Sequence, residues 1–146
     1  MLPTLNGRIQ TRLFMLATWG VFWTLVLTPL LLEASGAAYR VTFILLATVA
    51  VLGVLWELVY HGLMQWRWEK DWPTFFGFIT CINEGALIIL LLKLNLVPGL
   101  GFDSEYVPVG DFLVLFLVIW MTIFVWTNGP MRIFNIHWRF FGGRIV

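Results

Sequence analysis

Four long apolar runs organise this 146-residue chain, at about 13–32, 41–63, 73–92 and 110–127. Three of them approach the ~20 residues that a helix needs to cross ~30 Å of hydrocarbon. The fourth has a shorter apolar centre, Phe112 to Trp126, with polar or charged segments on both sides. Hydrocarbon offers no partner for a backbone amide, so runs of this length fold as helices. The chain is 60% hydrophobic and 12% charged, against about 45–50% and about 25% in soluble domains. The expected fold is an all-α membrane protein: a four-helix transmembrane domain over residues 1–128 and an extended juxtamembrane tail over 129–146.

Basic residues order the runs across the membrane. Arg8 and Arg12 precede the first run, Arg67 and Lys70 lie between the second and third, and Arg132, Arg139 and Arg144 follow the fourth. The opposite loops hold Arg40 and Lys93 and collect Glu33, Asp103, Glu105 and Asp111. The positive-inside rule then places both termini in the cytoplasm of a bacterial cell, with four passes through its plasma membrane. The first run resembles a signal peptide, with Ala34-Ser-Gly-Ala37 behind it. Its apolar stretch exceeds the about 7–15 residues of a signal core, so it is read as a span.

Composition also narrows the function classes. Cys81 is the only cysteine, so no intrachain disulfide or Cys-x-x-Cys motif exists. Two histidines, His61 and His137, and dispersed acids give no metal-ligand spacing, and neither a cofactor nor a metal is expected. No basic run is long enough for a nucleic-acid partner.

Polar residues within the spans carry the remaining information. Glu84 sits deep in the third run, where a carboxylate costs a few kcal/mol, about 2.5–3.5 for an aspartate. It shares a helical face with Gly77, Thr80 and Cys81, and Asn83 is rotated about 100° from it. On the second run Glu57 and His61 stand at i and i+4 and can touch, with Glu57 snorkelling and His61 among the headgroups as the plainer reading. Counting from Leu63 puts Glu57 about 9 Å deep, while Glu84 is about 18 Å from Trp72, a separation of a couple of turns. Candidate partners for Glu84 are Thr24, Thr28, Trp120, Thr122 or a group on another subunit, with no obvious cation in the chain. On the first run Ala17, Gly20, Thr24 and Thr28 form a small, hydroxylated packing face, and Pro29 is expected to bend or end that helix.

Aromatic and basic residues gather at the ends of the spans. Trp66, Trp68 and Trp72 alternate with Arg67, Glu69, Lys70 and Asp71. Such residues anchor a helix at headgroup depth or dock a partner. The segment after Asn128-Gly-Pro130 carries Arg132, Trp138 and Arg139. From Asn135 to Phe140 its polar and apolar residues alternate, a strand period. An isolated strand leaves backbone groups unpaired, so this tail is expected to lie on the membrane or pair with another chain.

Three sets of residues carry a resemblance. They are Met1-Leu-Pro-Thr-Leu-Asn-Gly-Arg-Ile-Gln-Thr-Arg12, Trp56-Glu57-Leu-Val-Tyr-His61-Gly62 with Arg67-Trp-Glu-Lys-Asp-Trp-Pro73, and Asn128-Gly-Pro-Met-Arg132. The chain resembles small uncharacterised four-helix integral-membrane proteins of actinobacterial type over most of its length. That resemblance implies a membrane location and assigns no activity or functional residue.

No nucleophile, base and oxyanion donors assemble into a catalytic constellation, and no activity of its own is expected. The leading expectation is an accessory or structural subunit of a larger membrane complex, with lipids and other membrane subunits, or copies of itself, as partners. The alternatives are a proton-coupled transporter or channel subunit using Glu84, and a lipid- or quinone-binding protein.

Overall fold

The computed structural model describes residues 4–32, 36–67, 74–100 and 107–145. Among them the secondary structure is all helical, with four helices long and apolar enough to cross a membrane. Helix α1 runs Leu5–Leu31, α2 Gly36–Trp66, α3 Thr74–Lys93 and α4 Val109–Asn128. Each packs against its neighbour in the chain, and α4 returns to α1, closing a ring of four. Short connections between long helices favour this antiparallel order. It brings both termini to the same end of the bundle, where the Thr4 N–H donates to the Gly142 carbonyl at 2.9 Å.

Two of the helices outlast their apolar runs. α1 begins at Leu5 because the hydroxyl of Thr4 caps it, accepting from the Gly7 N–H at 3.1 Å. Arg8 and Arg12 therefore lie within the first three turns of the span rather than ahead of it. α2 likewise begins at Gly36 and continues to Trp66.

A π-helical turn, Leu16–Gly20, interrupts α1. Arg8, Arg12, Leu16, Gly20, Thr24 and Thr28 recur at a spacing of four. Such a row drifts about 40° per step around a 3.6-residue helix. The wider turn inserts one residue and takes up part of that drift. Leu16, Gly20, Thr24 and Thr28 are buried, whereas Ala17 is exposed. The packing face expected at Ala17 therefore begins one residue earlier. Pro29 ends the helix softly: α1 continues to Leu31, and the Tyr39 hydroxyl donates to the Leu25 carbonyl, which Pro29 cannot serve, at 3.4 Å.

The core is thickest at the end away from the termini. Leu45, Ile88, Leu92, Phe112 and Phe116 pack together there. The loop after α3 folds inward, burying Val97 and Leu100 in the same cluster. Asn95 and Gly99 turn this loop with positive φ, 53° and 87°.

The tail departs from the extended form expected of it. Residues Pro130–Phe134 form α5 and Ile136–Phe140 form α6. Pro130 stands in the first turn of α5, and the Asn135 side chain caps α6 by accepting from the Trp138 N–H at 3.1 Å. A period of two over six residues was too short a pattern to outweigh those two helix starts. The tail also finds its partner within the chain. Thr11 donates to the Gly143 carbonyl at 2.9 Å, the Trp138 indole donates to Thr11 at 2.7 Å, and the Ile145 N–H donates to Gln10 at 3.0 Å. Gly142 and Gly143 make this approach with φ of 67° and 83°, and a Cβ on Gly7 would fall on the Gly142 carbonyl.

Candidate functional site

Arg12 lies at the centre of an ion cluster inside the bundle. One of its terminal nitrogens donates to Glu57 Oε1 at 2.9 Å, and the other donates to Glu84 Oε2. Arg8 Nε donates to the second oxygen of Glu57 at 2.6 Å. Two guanidinium groups thus meet two carboxylates and the charges balance. The Glu84 side chain is 3% exposed, a burial that a carboxylate tolerates only with a charged or hydrogen-bonded partner. The fork of a guanidinium suits this bridging role, because it fixes two donors in one plane.

Three helices build the cluster, and each supplies a specific condition. α1 carries Arg8 and Arg12 one turn apart. α2 supplies Glu57 and, one turn deeper, Gly53, where a Cβ would collide with the Arg12 guanidinium. α3 supplies Glu84 above Gly77 and Gly85, whose missing side chains let Phe124 and Phe116 of α4 approach closely. Glu57 is nine residues from the end of α2 at Trp66, and Glu84 is ten residues from the start of α3 at Thr74. Those distances, about 14 and about 15 Å, are level. The offset expected from the apolar boundaries disappears because α2 extends past Leu63 and α3 is counted from Thr74, two residues after Trp72.

A cavity of about 610 Å³ runs alongside the cluster, lined by all four spanning helices and the tail. Near the termini its wall is Arg8, Thr11, Arg12, Asn128, Arg132, Trp138 and Arg139; toward the far end it is Leu45, Phe112, Leu115, Phe116 and Ile119. One buried polar atom on this wall, the Thr24 hydroxyl, has no hydrogen-bond partner among the described residues; Arg12 Nε also lacks one but is packed against Gly53 of α2. Buried polar groups are satisfied in the large majority of cases, so the Thr24 hydroxyl marks unused bonding capacity on the cavity wall.

The remaining candidates divide. Thr80 donates to the Gly77 carbonyl at 2.7 Å and lines the cavity. Cys81 is buried in the apolar core. Asn83 is exposed and lies beside the Tyr60 hydroxyl. His61 does not join Glu57, whose oxygens are taken by the arginines; its ring meets Gln65 at 3.4 Å. Thr28, considered for Glu84, instead meets Thr42, hydroxyl to hydroxyl at 3.0 Å, near the far end. Trp66 is 88% exposed, and Arg67 stacks over Phe76. Arg132 donates to Asn128 Oδ1 at 3.2 Å, and Arg139 lies over the Phe140 ring. Trp68 and Trp72 lie outside the described residues, as do Glu33, Asp103, Glu105 and the Asp71–Pro73 helix start.

Arg8 and Arg12 were missed as site residues because the first span was begun at Leu13. The capping residue Thr4 carries the signal that places them inside: it starts the helix two turns before Arg12. No protein-family model, curated protein or solved structure matches the chain.

Proposed function

We propose that this multi-pass protein resides in a bacterial plasma membrane with both termini cytoplasmic, and that it holds a lipid-like amphiphile within its helix bundle. The observation that carries this reading is the cavity, charged near the termini and apolar toward the far end. Its volume, about 610 Å³, falls within the roughly 300–1,000 Å³ typical of small-molecule sites. The unpartnered Thr24 hydroxyl supports an occupant with polar atoms. The balanced pairing of both carboxylates with arginines weighs against a proton carrier built on Glu84, which would need a carboxyl free to exchange its proton.

The test is to purify the protein in mild neutral detergent and identify retained lipids by native mass spectrometry. The expected result is a bound amphiphile near one per chain, lost when Ile119→Trp fills the apolar wall. Equal lipid signal in both proteins, or none above the detergent background, would contradict the reading.

A second reading, an accessory subunit of a larger membrane complex, rests on a different observation. Ile133, Phe134, Ile136, Phe140 and Phe141 are exposed at the termini end, from 60% to 80%. Blue-native electrophoresis of solubilised membranes tests it. A species far heavier than the monomer supports a complex, and a monomer alone removes it.

A further inference from the structure

Resting on the amphiphile reading above, we infer that the occupant's head is anionic, a phosphate or carboxylate on an apolar tail, seated at Arg132 and Arg139. Charge counting along the cavity wall carries the inference. Four arginines line it against two glutamates, and both glutamates are already engaged by Arg8 and Arg12. Arg132 and Arg139 therefore stand as an excess of two positive charges. Among the described residues neither has a carboxylate partner; Arg132 meets an amide oxygen of Asn128, and Arg139 lies over an aromatic ring.

The position of this excess matters as much as its sign. α5 and α6 bring the two arginines to the end of the cavity where the chain termini meet, the depth of lipid headgroups if the helices span as their lengths require. Beyond the neutralised arginine–glutamate cluster the wall turns apolar. A neutral or cationic head would leave these two exposed guanidinium groups at the polar end of the cavity without a counter-charge. A phosphate or carboxylate satisfies both through the paired N–H geometry that guanidinium presents.

The experiment compares dodecyl phosphate, laurate and dodecanol, which share a tail and differ in head, by competition for the site in purified protein in neutral detergent. Both anionic probes are expected to bind at least about tenfold more tightly than dodecanol. That preference should shrink as salt is raised. The R132Q/R139Q double variant should lose it, while R132K/R139K, which keeps the charge but not the paired donors, retains part of it. These arginines are exposed and lie outside the buried cluster, so the variants leave the bundle's own ion pairs in place, and the salt series reads the same charge without any variant. Equal binding of all three probes, or an anionic preference insensitive to both salt and the double variant, overturns the inference while leaving the amphiphile site standing. Binding of none of the probes overturns both. A preference for one anionic probe over the other distinguishes a phosphate source from a fatty-acid source.

Discussion

In the half of the bundle that carries both termini, the helices meet through four charged side chains and a tail that hydrogen-bonds to the first helix. At the opposite end they meet through Ile88, Leu92, Phe112 and Phe116, with Val97 and Leu100 folded in from the loop. There, among the described residues, the polar contacts between helices are the neutral ones of Thr28 with Thr42 and of Tyr39 with the Leu25 carbonyl. The comparison separates two ways of joining helices in lipid. Apolar packing is weakly directional, because lipid tails compete with it on nearly equal terms. A buried ion pair is strongly directional, since each partner is tolerated only while the other is present. The apolar end can therefore absorb substitution by repacking, whereas the charged end holds one arrangement.

The largest expected difference comes from removing the shared cation. Arg12→Leu leaves Glu84 buried without a partner and should destabilise the protein by about 3–5 kcal/mol. Equilibrium unfolding in detergent measures it, and a loss under about 1 kcal/mol, within the range of exposed pairs, would erase the distinction between the two ends. The tail contact gives a smaller effect. Gly7→Ala sets a Cβ against the backbone of Gly142 and Gly143 and should cost about 1–3 kcal/mol, the usual range for overpacking. Limited proteolysis should then cut the segment after Phe140 faster than in wild type, with the spans intact. At the opposite end, Thr28→Val removes one hydroxyl contact between α1 and α2. About 0.6 kcal/mol is expected, the average for interhelical hydrogen bonds in a membrane. A larger loss there than at Gly7 would reverse the order of the two ends.

Much of this contrast was legible before the structure. The four spans follow from hydropathy, because backbone satisfaction in lipid leaves helices as the only form for such runs. Glu84 stood out because a buried carboxylate demands an explanation. Its partner did not, because Arg8 and Arg12 were assigned by their charge to the aqueous side of Leu13. A helix continues past the edge of its apolar run wherever a cap starts it earlier, as Thr4 does. Once the helix begins at Leu5, Arg12 lies two turns in, facing Glu57 and Glu84. The π turn was less legible still. The row of four-residue spacings from Arg8 to Thr28 hints at it, but whether a helix takes up such drift by an inserted residue depends on what packs against it. The tail shows the opposite error: alternation from Asn135 to Phe140 suggested a strand, while Pro130 and Asn135 carried the start signals of two short helices.

The central claim is that Arg12 and Glu84 are energetically coupled, and a double-mutant cycle between Arg12→Gln and Glu84→Gln, read by equilibrium unfolding in detergent, tests it most directly. Arg12→Gln should be far less damaging once Glu84 is already neutral, giving a coupling of about 1–3 kcal/mol. Losses that add to within about 0.3–0.5 kcal/mol, as for independent sites, would show that the two side chains do not hold each other and would contradict the account.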